Sequence, residues 1–116
     1  STYGSVPIRT EVLSIDHYDQ PSDLTNLAKQ YIKLLNKGNG VLILTDMFGS
    51  TPSNIAREFS HLKSVNIVAG INLSMLLHVF NYPELNLKDL TKAAVEGGKN
   101  GVIQIENERK KSNNIK

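Results

Sequence analysis

Acidic, hydroxyl and glycine residues gather in one short stretch of this 116-residue chain, Thr45-Asp46-Met47-Phe48-Gly49-Ser50-Thr51-Pro52-Ser53-Asn54. Gly49 has no Cβ and lets the backbone come close to a ligand. Ser50, Thr51 and Ser53 offer hydroxyls. A helix beginning near Pro52 aims unpaired N–H groups and the positive end of its dipole at the same place. Together these groups suit a phosphoryl group or another small anion, and Asp46 could orient a neighbouring imidazole or hold a metal. The same Gly-Ser-Thr-Pro run is also a common helix start, with Thr51 as a plain N-cap. Spacing alone leaves both readings open. The stretch is not a P-loop, because the Gly-Lys-[Ser/Thr] ending is absent.

Histidine is the other residue type with chemistry to offer. His17 lies beside Asp16 and Asp19, a cluster that a polar turn explains as well as a metal site does. His61, in Ser60-His61-Leu62-Lys63, reads as a surface residue favoured near the negative end of a helix. His78, in Met75-Leu76-Leu77-His78-Val79-Phe80, reads as a packing or interface residue.

The surrounding chain has the size of one domain. Hydrophobic residues make up 40% and charged residues 21%, ordinary values for a folded domain. No apolar run nears the ~20 residues of a membrane span, and no basic-then-apolar leader pattern opens the chain. With no cysteine, disulfides and thiolate metal sites are excluded, so the cytoplasm is the expected compartment. The net charge is +2, and much of the positive charge sits at Arg109, Lys110, Lys111 and Lys116. No aromatic–basic interleaving of the single-strand-binding kind accompanies it, so nucleic acid is not an expected partner. Residues 1–106 read as the domain and 107–116 as a polar basic tail.

Strands and helices alternate around the loop. Loose alternation over 9–15 predicts a half-covered strand. Pro21-Ser22 starts a helix with Ser22 as N-cap, and Leu24, Leu27, Ala28, Tyr31, Ile32 and Leu35 share its buried face. Lys37-Gly38-Asn39-Gly40 stops it. Val41-Leu42-Ile43-Leu44 suits a central parallel strand covered on both faces. A helix over 52–59 follows, with Pro52 at its first position, then a strand over 65–69. Helices are predicted at 73–80, capped by Asn72, and at 87–96. Gly97-Gly98-Lys99-Asn100-Gly101 breaks the last helix before a short strand, Val102-Ile103-Gln104-Ile105. The β-α-β-α-β-α-α-β order gives an α/β fold, a three-layer sandwich whose mostly parallel sheet has helices on both faces. Ligands in such sheets bind beyond the carboxyl ends of the strands, where the 46–54 loop falls.

Val41-Leu42-Ile43-Leu44-Thr45-Asp46-Met47-Phe48-Gly49-Ser50-Thr51-Pro52-Ser53-Asn54-Ile55-Ala56 resembles the mannose-family enzyme IIA component of the bacterial phosphoenolpyruvate-dependent sugar phosphotransferase system. That family's pattern is a hydrophobic strand, Asp, an apolar–aromatic pair, Gly, a small residue and Ser/Thr-Pro-x-Asn. Val68-Ala69-Gly70-Ile71-Asn72-Leu73-Ser74-Met75-Leu76 is similar to its second signature, Gly-x-Asn-x-x-Met-Leu after a strand. Residues 93–102 are similar to its terminal helix and strand. The resemblance runs from about Glu11 to Ile105.

The resemblance implies a phosphoryl carrier without a cofactor. Phosphohistidine carrier protein donates, a histidine at the end of the family's first strand accepts, and enzyme IIB receives. Asp46 would orient that imidazole. Gly49, Ser50, Thr51 and Ser53 would hold the phosphoryl group, Phe48 would form a docking rim and Asn54 would brace the loop. A homodimer is implied, with the last strand antiparallel and adding to its own or the partner's sheet. Contact with the membrane comes only through the permease. This sequence departs from the pattern in having no Thr-His or Ser-His element at a first strand. That strand, the histidine loop and most of the first helix are expected to precede Ser1, with residues 1–4 as the end of the helix. His17 is the one substitute acceptor the chain offers, on a strand the family places at the sheet edge. A regulatory module of the same fold, or a dimerisation module with a vestigial loop, is the alternative.

Overall fold

The computed structural model describes residues 8–14 and 20–108. Its elements run α1 (Pro21–Leu35), β1 (Val41–Thr45), α2 (Thr51–Arg57), β2 (Val65–Ala69), α3 (Leu73–Phe80) and α4 (Leu87–Asn100). The architecture is α/β, as expected. β1 and β2 are parallel, with Val41 opposite Val65 and Thr45 opposite Ala69.

Alternation along the two strands divides the core. Ile43, Val65 and Ile67 face a cluster built on Leu24 of α1 and on Ile55 and Phe59 in and just after α2. Leu42, Leu44 and Val68 face the other way, onto Met75 and Val79 of α3 and Ala94 of α4. One helix pair therefore covers each face, and both strands read as continuous apolar runs for that reason. α2 is too short to persist alone. Buried Ile55, Ala56 and Phe59 hold it in place.

Several boundaries differ from expectation. α1 starts at Pro21, with Gln20 rather than Ser22 in the N-cap position, because proline's fixed φ and missing N–H suit the first helical residue. At its other end, the Asn36 side-chain oxygen accepts from the N–H groups of Gly38 and Gly40, each at 3.0 Å. α2 begins one residue earlier than predicted, at Thr51.

The two outer strands are not present among the described residues. Residues 9–14 form no strand, although Ile8 and Leu13 pack against the two clusters. Residues 102–105 form none either, so the final short antiparallel strand is corrected to an irregular, exposed segment. Alternating apolar residues permit a strand, but a strand also needs a neighbour for its backbone groups. Neither segment has one here. Ile15, His17 with its flanking aspartates, residues 1–4 and the basic end of the tail lie outside the described residues.

The predicted glycine break is also corrected. α4 runs through Gly97 and Gly98 to Asn100, because those glycines are where α3 comes closest. A Cβ on Gly97 would sit 2.5 Å from the Cβ of His78, and one on Gly98 would sit 2.8 Å from the Met75 methyl. The bare backbone lets Ser74 donate its hydroxyl proton to the Gly97 carbonyl at 2.7 Å. Helix propensity favours alanine over glycine by about 1 kcal/mol, whereas overpacking costs roughly 1–3 kcal/mol. At Gly97 the obstacle is the rigid base of His78, so Gly97→Ala should lose about 1–2 kcal/mol net. At Gly98 the flexible end of Met75 can turn aside, and Gly98→Ala should be neutral or stabilising. Urea midpoints of the two variants measure the difference.

Candidate functional site

β1 and β2 end side by side, and their two following loops are tied together. The Gly70 N–H donates to the carbonyls of Thr45 (3.0 Å) and Asp46 (2.7 Å), and the Ile71 N–H donates to Thr45 at 2.9 Å. Gly70 reaches both carbonyls at φ +93°, a backbone state that side chains with a Cβ resist. The second signature thus holds the backbone of Asp46 from behind.

Beyond Asp46 the chain turns through Gly49, at φ +92°. No atom lies within 4 Å of where a Gly49 Cβ would be, so this part of the loop is open to an approaching group. The Asn54 side-chain amide donates to the Gly49 carbonyl at 3.3 Å, bracing the turn from the first turn of α2. Ser50 is the N-cap of α2, accepting from the Ser53 N–H at 3.3 Å. Thr51 is the first helical residue instead of the cap, and it is exposed.

The expected residues play unequal parts. Asp46, Gly49 and Thr51 are exposed around the loop mouth. Ser50 is half-buried and its hydroxyl donates to Asp46 Oδ1 at 2.5 Å. Its N–H is also engaged, donating to the Met47 carbonyl at 3.0 Å. Both Ser50 donors are therefore committed within the loop. Ser53, expected to offer a hydroxyl to the anion, is 2% exposed, and it gives its backbone N–H to Ser50. Met47 and Phe48 stand out from the surface, 72% and 69% exposed. The Arg57 guanidinium lies 5.5 Å from the centre of the Phe48 ring, within cation–π range.

The described histidines are elsewhere. His61 is exposed in the turn that leads into β2, at the opposite end of the sheet from the loop. A strand of five residues puts about 17 Å between those ends. His78 packs on Gly97 and meets the Tyr82 ring edge-on, with centroids 5.3 Å apart. No group of three or more metal-ligating side chains is found among the described residues. Among them, no helix is long and apolar enough to cross a membrane.

The family model described as the PTS system fructose IIA component, EIIA-man, matches residues 8–95. The chain belongs to this family. It is similar to the fructose-specific EIIA component of the phosphotransferase system from Bacillus subtilis (strain 168), 41% identical over 63 residues. That match spans 53% of this chain and 43% of the relative. It is also similar to a crystal structure of phosphotransferase system component EIIA from Streptococcus agalactiae. There the TM-score is 0.60 at 22% identity, over 74% of this chain and 68% of the other. At that identity the likeness speaks for the fold.

Asn72, expected only as the cap of α3, also supports the site from behind. Its side-chain oxygen accepts from the Met75 N–H at 2.8 Å, capping α3. Its amide donates to the Gly98 carbonyl at 3.0 Å, joining the start of α3 to the end of α4. Losing a cap and a part-buried hydrogen bond together costs about 2 kcal/mol, so Asn72→Ala should fall by that amount in urea denaturation. Asn72→Asp keeps the cap, but it sets a carboxylate oxygen against the Gly98 carbonyl and should recover little of the loss.

Proposed function

We propose that this EIIA-family chain is the phosphoryl-binding part of a cytoplasmic phosphoryl carrier, acting between phosphohistidine carrier protein and an enzyme IIB. The observation that carries this reading is the 46–54 loop. An exposed carboxylate and an open glycine turn stand together at the carboxyl ends of parallel strands, where α/β sheets bind ligands.

In the proposed step, the N–P bond of the donor phosphohistidine breaks and a new N–P bond forms on an acceptor imidazole. In this proposal the acceptor is the histidine that the family pattern carries at the end of its first strand. A neutral imidazole is nucleophilic near pH 7 and yields a reactive phosphoramidate. Asp46 accepts the N–H of the ring nitrogen that is not attacking, which fixes the tautomer and offsets the positive charge that develops on the ring. The Gly49 backbone and Thr51 receive the phosphoryl oxygens, and catalysis is mostly positioning and charge stabilisation. Exposed Met47 and Phe48 form the apolar rim on which donor and acceptor proteins dock in turn.

Incubation of the full-length protein with phosphoenolpyruvate, enzyme I and the carrier protein tests this by intact mass. Gain of one acid-labile phosphoryl group is expected, followed by its discharge to an enzyme IIB. The Bacillus subtilis relative is named as fructose-specific, so a fructose-specific enzyme IIB is the acceptor to use first. Asp46→Ala should slow the transfer roughly 10²-fold or more, as loss of a positioned proton-handling group does. No mass gain in the full-length protein would leave the regulatory or dimerisation reading in its place.

We also propose the homodimer that the resemblance implies. Val102, Ile103 and Ile105 are 80%, 76% and 89% exposed, and they are the side chains a second copy would cover. Sedimentation velocity should find a dimer, and replacing Ile103 and Ile105 together by lysine should convert it to monomer.

A further inference from the structure

The hydroxyl of Ser50 has one proton to give, and the carboxylate of Asp46 has it. The bond to Oδ1 is 2.5 Å long, at the short, charge-assisted end for O–H···O⁻ contacts. The hydroxyl oxygen accepts from the Ser53 N–H at 3.3 Å, and the Ser50 N–H is held by the Met47 carbonyl. The residue is therefore fixed on three sides. Asp46 is exposed, and a carboxylate on a solvent-facing loop would otherwise sample several rotamers. Its backbone carbonyl is already held by Gly70 at 2.7 Å. With main chain and one carboxylate oxygen both fixed, the second oxygen has a single direction.

We propose that Ser50 is a positioning residue for Asp46. Its hydroxyl occupies Oδ1 and sets Oδ2 toward the acceptor imidazole, instead of binding the phosphoryl group itself. This rests on the carrier reading above. It differs from the direct role expected for the Ser50 hydroxyl in one respect that can be measured. A hydroxyl that acts through Asp46 has nothing left to contribute once that carboxylate is gone, whereas one that holds phosphoryl oxygens contributes with or without it.

Ser50→Gly separates the hydroxyl from the cap, because glycine serves at an N-cap nearly as well as serine. In the full-length protein, Ser50→Gly should slow phosphoryl transfer about tenfold while the urea midpoint hardly moves. A tenfold change is about 1.4 kcal/mol in the barrier, the size of a hydrogen bond to a charged group. Ser50→Thr should restore most of that loss. Asp46→Asn should lose more, and adding Ser50→Gly to it should cost nothing further. In parallel, three-bond Hα–Hβ couplings of Asp46 should report one rotamer in the wild type and an average in Ser50→Gly.

Transfer at the wild-type rate in Ser50→Gly overturns the inference. So does a double variant whose losses multiply, which returns the hydroxyl to the phosphoryl group. Unchanged Asp46 couplings in Ser50→Gly overturn it independently of any transfer assay. A wild-type protein that takes no phosphoryl group overturns the carrier reading and any role of Ser50 in transfer. The couplings then still decide whether Ser50 fixes Asp46.

Discussion

Two short strands lying parallel set almost every other feature of this molecule. A parallel pair cannot be closed by a tight turn, so the chain must cross over between the strands, and the crossover is α2. Both faces of the pair are apolar, so both must be covered, which accounts for the two helix pairs and the two clusters of the core. The parallel arrangement also brings the carboxyl ends of β1 and β2 together. The loops that follow them can then share hydrogen bonds, as Gly70 does with Thr45 and Asp46. An antiparallel pair would have put those loops at opposite ends.

The site is a consequence of that arrangement working in two layers. The inner layer is backbone: Gly70 and Ile71 hold the carbonyls at the end of β1. The outer layer is short side chains: Ser50 on Asp46 and Asn54 on the Gly49 carbonyl. Short side chains lose little entropy on being fixed, and they form a rigid rim around an open centre. The long apolar residues, Met47 and Phe48, are turned outward, where they can meet another protein without filling the space for a small anion.

Elements with their own local signal were legible in the sequence. Asn72 caps its helix as its residue type suggests, and the apolar runs at Val41 and Val65 are strands for the reason their continuity implies. What needed a partner in space was not legible. Gly97 and Gly98 carry the same local message as any helix stop, and only the proximity of His78 and Met75 makes them helix interior. Val102-Ile103-Gln104-Ile105 carries a strand's composition, but composition cannot supply the neighbouring strand. At the site, Asp46, Gly49 and Thr51 could be chosen by type and spacing. The inward turn of Ser53 and the Ser50–Asp46 bond depend on α2 beginning at Thr51 with Ser50 as its cap, one residue before the start that Pro52 suggests.

The glycine seam has a consequence for how this sequence can drift. Where the side chains of one helix lie directly on the bare backbone of another, as His78 and Met75 lie on Gly97 and Gly98, no side chain on the glycine side can be trimmed to make room. The carbonyls of Gly97 and Gly98 are held by Ser74 and Asn72 across that gap, and Asn72 stands two residues beyond Gly70, which steadies Asp46. A methyl group added at Gly97 meets His78 in the last turn of α3 and pushes that helix outward, and the first turn of the same helix is attached to the loop pair at the sheet end. The chain is thus free to vary over the solvent faces of α1 and α4. It is least free at a position that carries no side chain and touches no ligand.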